Sequence, residues 1–147
     1  MAVNFDKYAS KGNEILNELG KELGFPGERE LTGRILRSVL HALRNRLTFE
    51  ESLQLLAQLP VALKGIYVEG WSSKHKSKRV RTVREFIEEV QLEDYPTGQY
   101  DFSNDASGEK TISIVFSVLQ RHISRGEAKD IMAVLPKALK DLWAVKV

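Results

Sequence analysis

Apolar residues along the chain recur at helical rather than strand spacing. Tyr8, Ile15, Leu16, Leu19 and Leu23 mark one amphipathic helix, which Gly24-Phe25-Pro26-Gly27 is expected to end. A second helix, from about Glu28 to Arg46, carries Leu31, Ile35, Leu36, Val39, Leu40, Ala42 and Leu43, with Leu47 beyond it. That stripe is too wide for one contact face, so the helix is expected to be central. Thr48-Phe49-Glu50-Glu51 has the form of a capping box, in which the hydroxyl accepts a first-turn amide and the carboxylate reaches back to the threonine amide. Leu59-Pro60 ends the helix this box opens and begins the next, because proline lacks an amide and is tolerated only in a first turn. Gly70 is expected to close that helix in a left-handed conformation.

The segment Thr111-Ile112-Ser113-Ile114-Val115-Phe116-Ser117-Val118 is rich in β-branched residues and, taken alone, reads as a strand. An internal repeat argues otherwise. Sliding the chain by 76 residues aligns Ile35–Tyr67 with Thr111–Trp143 without a gap, and nine of the 33 positions are identical, among them Leu43/Leu119, Glu51/Glu127, Pro60/Pro136 and Lys64/Lys140. The partner of 111–118, Ile35–Ala42, has the helical stripe and better helix formers, so both segments are read as helix. Ser124-Arg125-Gly126-Glu127 is a second capping box, Leu135-Pro136 a second break, and Thr82-Val83-Arg84-Glu85 a third box.

Together these signals predict an all-α fold of eight helices, arranged as two similar four-helix units over 1–73 and 82–147 with a basic bridge over 74–81. The units are expected to pack face to face about an approximate two-fold axis into one compact domain. Leu43, Leu55, Leu59, Leu63, Leu119, Ile131, Leu135 and Leu139 are its predicted core.

Composition narrows the function classes. The 147 residues are 42% hydrophobic, and 22 Lys and Arg against 20 Asp and Glu leave a net charge of +2. A chain of this length buries roughly 68–70% of its unfolded surface and needs no staples. The absence of cysteine excludes disulfides, thiolate zinc sites and a cysteine nucleophile. No apolar run is long enough to span a membrane, and Met1-Ala2-Val3-Asn4-Phe5-Asp6 has neither the basic flank nor the apolar core of a leader. A cytoplasmic location without membrane contact is the expectation.

Lys74, Lys76, Lys78, Arg79, Arg81 and Arg84 place six cations in eleven residues with no acid among them, a run able to neutralise several phosphates. The alternative is a solvated linker answered by the acids that follow it, Glu85, Glu88, Glu89, Glu93 and Asp94. Tyr67 and Trp71 could stack bases or dock a peptide beside that run, or could pin the bridge to the core. His41 and Arg44, three apart on one helix face, form a weak candidate anion site. His122, like its aligned Arg46, is read as a cation at the negative end of a helix dipole. The loop from Asp101 offers oxygen ligands at alternate positions but has Ala106 and Ile112 where a calcium loop needs Gly and Glu. No phosphate-cradling glycine loop or nucleophile elbow is present. No catalytic residue, metal or cofactor is therefore assigned.

The strings His41-Ala42-Leu43-Arg44-Asn45-Arg46-Leu47-Thr48-Phe49-Glu50-Glu51, Ala57-Gln58-Leu59-Pro60 and Gly65-Ile66-Tyr67-Val68-Glu69-Gly70-Trp71 resemble the bacterial family known as domain of unknown function 2267. The likeness continues through Thr82–Val90 and Ser124–Trp143 and covers nearly the whole chain. It implies a fold and a kinship, but the family carries no agreed activity, so no catalytic role transfers. Two mild departures are Ser52 and Asn45, where the resemblance leads one to expect a short side chain such as Ala and an acid. The expected function is a non-enzymatic helical module that binds a protein partner or self-associates. The runner-up is a nucleic-acid-associated protein using the bridge, residues 74–84.

Overall fold

A computed structural model describes residues 3–72, 78–94, 97–102 and 105–144. Helix α1 (Phe5–Leu23) opens at Asn4, whose side-chain oxygen accepts the Asp6 amide. It ends where Gly24 turns left-handed at φ 93° and its amide bonds back to the carbonyls of Gly20 and Lys21. Helix α2 (Arg29–Arg46) follows, then α3 (Phe49–Gln58) and α4 (Val61–Val68). The second half of the chain holds α5 (Val83–Glu93), a single turn α6 (Gly98–Asp101), α7 (Asp105–Arg121), α8 (Arg125–Val134) and α9 (Lys137–Ala144). All regular structure among the described residues is helical: eight helices and the four-residue α6.

The β-branched run lies inside α7, where residues 112–119 are all buried. Each β-branched residue costs a helix only some tenths of a kcal/mol in propensity, whereas full burial of an Ile or Phe contributes about 1.5–3 kcal/mol. Burial decides the outcome. Residues 38–45 of α2 are likewise buried without interruption, as a stripe too wide for one face requires. Helices α2 and α7 touch one another; α2 also packs on α1, α4 and α5, and α7 on α1, α5 and α9, while α3 lies along α8. The eight predicted core residues all join this interior, none more than 4% exposed.

Both Thr48/Glu51 and Ser124/Glu127 form complete capping boxes, with bonds of 2.8–3.1 Å. The third box forms only in half. The Thr82 hydroxyl accepts the Glu85 amide, but the Glu85 carboxylate takes the amide of Arg81 instead of Thr82. Thr82 sits at φ −135° where Thr48 and Ser124 sit at −66° and −72°, which turns its amide away. Gly70, at φ 68°, is left-handed two residues beyond α4. Among the described residues no helix is long and apolar enough to cross a membrane.

Candidate functional site

Polar side chains gather where each long helix ends against the opposite half of the chain. At the end of α2, the Asn45 amide donates to Glu89 and Glu93 of α5, and Arg46 pairs with Glu89 at 2.9 Å. At the end of α7, Arg121 donates to Glu18 and Glu22 of α1, 2.7 Å to each, and His122 Nε2 bonds Glu18. Burial raises the Glu18 pKa, but its bonds to Arg121 and His122 outweigh that and hold the carboxyl below its ordinary value. Asn45 also finds its reason here, because an acid in its place would face two carboxylates.

His122 therefore meets a carboxylate as well as a helix end. The two glutamate pairs are i, i+4 on their helices, but their partners lie 43 to 104 residues away. Sequence spacing gives no signal for such a contact.

His41 and Arg44 turn inward. His41 Nε2 lies 2.7 Å from the Ile66 carbonyl, and Arg44 donates to the carbonyls of Tyr67 and Glu69 at 2.9 and 2.6 Å. These carbonyls lie at the end of α4, where Ile66 also accepts the Glu69 amide. Burial lowers the His41 pKa, against the pull of the Ile66 carbonyl, so the ring is neutral with its proton on Nε2. The pair closes a helix end and does not present donors to an anion in solvent. Gln120, which aligns with Arg44, donates in the same way to the Trp143 carbonyl near the end of α9.

Tyr67 is 0% exposed, so it is no partner contact; its hydroxyl bonds Ser52 Oγ at 2.7 Å, and burial pushes its pKa up to about 12. The Ser at 52 thus supplies the partner that a buried phenol needs. Trp143, aligned with Tyr67, sends its Nε1–H to the carbonyl of Ala128, aligned with Ser52. Trp71 is half-buried, edge-on to Tyr67 with ring centroids 5.9 Å apart, and 5.3 Å from Phe49, which is 62% exposed. Leu53, one turn beyond Phe49, and Val68, whose carbonyl accepts the Trp71 amide, extend an exposed apolar patch. Phe49 and Leu53 were missed by the sequence reading, although their i, i+4 spacing at the start of α3 is the signal of a shared face.

Lys74 and Lys76 lie outside the described residues. Lys78, Arg79 and Arg81 are exposed, and the segment is tied down: the Lys78 amide bonds the Asn45 carbonyl at 3.0 Å and Val80 is buried. Arg84 lies 3.7 Å from Glu88, so the acids of α5 answer part of this charge while Glu89 and Glu93 answer α2. A cavity of about 520 Å³ runs along Arg46, Lys78, Arg79, Arg81, Glu85 and Glu88. A second, of about 230 Å³, lies at the α8–α9 break between Arg46, Glu51, Arg79, Pro136, Lys137 and Lys140. A third, of about 260 Å³, lies at the α3–α4 break beside Lys7, Lys11, Pro60, Val61, His122 and Glu127.

Asp101 belongs to an ion pair. Arg34 lies 3.1 Å from Asp101 and 3.4 Å from Asp94, and the next residues of the candidate calcium loop, 103–104, lie outside the described set. Burial and the neighbouring Asp101 carboxyl push the Asp94 pKa up to about 7, against Thr97 and Arg34. No group of three or more His, Cys, Asp or Glu placed to hold a metal occurs among the described residues.

No curated protein matches the chain closely enough to lend it an activity. A family model described as "Uncharacterized conserved protein (DUF2267)" matches residues 12–142, from the middle of α1 to the last turn of α9. The chain belongs to the domain of unknown function 2267 family.

Proposed function

We propose that the chain is an internally duplicated, non-enzymatic helical module that binds a protein partner or a second copy of itself through the patch around Phe49 and Trp71. The observation that carries the reading is the exposure of Phe49, 5.3 Å from the half-buried Trp71 and accompanied by exposed Leu53 and Val68, with the Arg37–Glu69 ion pair beginning at the residue after Val68. Exposed aromatic anchors with a polar rim are the usual anatomy of a binding surface. Duplication is supported by the aligned pairs Arg44/Gln120, Tyr67/Trp143 and Ser52/Ala128, which make matching bonds. It is supported again by packing, since α1 on α7 is answered by α5 on α2 and α3 lies on α8. A photo-crosslinking amino acid at Leu53 tests the binding reading. We expect one discrete adduct, either doubled in mass or joined to a single protein of the source cells, that Phe49→Ser abolishes. A ladder of adducts matching that from a crosslinker at Glu14 would overturn it.

A further inference from the structure

We propose that the cavity at the α8–α9 break is an anion site that takes the phosphate group of a larger ligand. Three cations converge on it from two segments: Arg79 from the bridge, and Lys137 and Lys140, one turn apart on α9. None of the three makes an ion pair among the described residues. Arg46 forms the wall and is already held by Glu89. The one acid in the lining, Glu51, has its carboxylate engaged by the Thr48 amide. Pro136 precedes α9 and has no side-chain acceptor to cap the first-turn amides, so the positive end of the helix dipole adds to the field of the lysines.

The cavity at the α3–α4 break is the internal comparison. There the position aligned with Lys137 is Val61, and Lys64, aligned with Lys140, donates its ammonium to the Leu56 carbonyl at 2.6 Å. Lys140 makes no such bond among the described residues. The same lysine closes a helix end in the first half of the chain and, among the described residues, has no hydrogen-bond or ion-pair partner over the cavity in the second. A volume of about 230 Å³ is below the roughly 300–1,000 Å³ of pockets that enclose a drug-sized ligand, so the site fits a headgroup and leaves the remainder outside. That remainder has a path, because the larger cavity along Arg79, Lys78 and Arg81 shares Arg46 and Arg79 with this one. The phosphate could belong to a small phosphorylated molecule or to a nucleic-acid backbone.

Backbone amide NMR of the full chain, titrated separately with inorganic pyrophosphate and with a short oligothymidylate, tests the proposal. We expect saturable shifts at Lys137, Ala138 and Lys140, weakened about tenfold in Lys137→Gln/Lys140→Gln, as loss of charge-assisted bonds implies. Lys7→Gln/Lys11→Gln, which changes net charge equally at the other cavity, should bind as wild type. Saturation by pyrophosphate alone identifies a small-molecule phosphate. Tighter binding of the oligonucleotide, with a log-log salt slope that falls by about one to two units in the lysine variant, identifies a nucleic-acid backbone. Absence of saturable shifts with either probe, or equal weakening in both double variants, overturns the site. Both variants change lysines on helix surfaces, and thermal melts confirm that they fold.

Discussion

Some buried polar side chains hold one specific partner, as Ser52 and Tyr67 hold each other, and such pairs predict which substitutions hurt. Tyr67→Phe strands the Ser52 hydroxyl in the core and should cost about 1–3 kcal/mol, whereas adding Ser52→Ala removes the unpaired partner and should recover most of that loss. A double-mutant cycle by urea denaturation measures the coupling. Asp94 gives a pH dependence. Its pKa is raised on folding, from 3.8 to about 7, so its contribution is complete below the lower value and is lost as pH rises toward the upper one. Asp94→Asn should therefore lack this downward slope and gain on wild type above pH 7, which melting temperatures across pH would reveal. An unchanged slope in the variant would place the titrating group elsewhere.

Helix ends are where the sequence was most legible. Thr48 and Ser124 announce their boxes within four residues, and Leu59-Pro60 and Leu135-Pro136 announce their breaks, because caps and prolines act through the local backbone. Replacing either Thr48 or Ser124 with Ala should cost about 1 kcal/mol in thermal or urea unfolding. Thr82 shows the limit of such reading, since the same four-residue pattern yields half a box when φ at the cap is more extended. What no local pattern carries is contact between distant segments: Glu18 with His122, Arg44 with the end of α4, or the burial of Tyr67. The candidate site was read least well for that reason, its cations being divided between Lys137 and Lys140 on α9 and Arg79 in the bridge. Close approach is equally invisible. A Cβ at Gly12 in α1 would sit 2.9 Å from Ala62 Cβ in α4, so Gly12→Ala should destabilise the protein although alanine is the better helix former.

At the scale of the molecule, each half completes the other. Glu18 and Glu22 are met by Arg121 and His122, while Glu89 and Glu93 are met by Asn45 and Arg46. Neither half should be stable alone: residues 1–72 and 78–147 expressed separately are expected to show little helical circular dichroism and to regain it on mixing. Acid should act on one of these junctions. The Glu18 pKa is lowered on folding, so its contribution is present above the ordinary value of 4.5 and is lost as pH falls through the lower folded value. Glu18→Gln should flatten that acid limb while lowering stability at neutral pH, both visible in pH-dependent urea midpoints.

Reciprocal completion has a consequence for assembly. Contacts that each half makes only with the other are satisfied equally well in cis, within one chain, or in trans, between two. The connection between Ser72 and Lys78 is what favours cis, because it keeps the proper partner at high local concentration. Deleting residues 73–77, which joins Ser72 directly to Lys78, should convert the protein into a domain-swapped dimer of unchanged helical content, with doubled mass by light scattering.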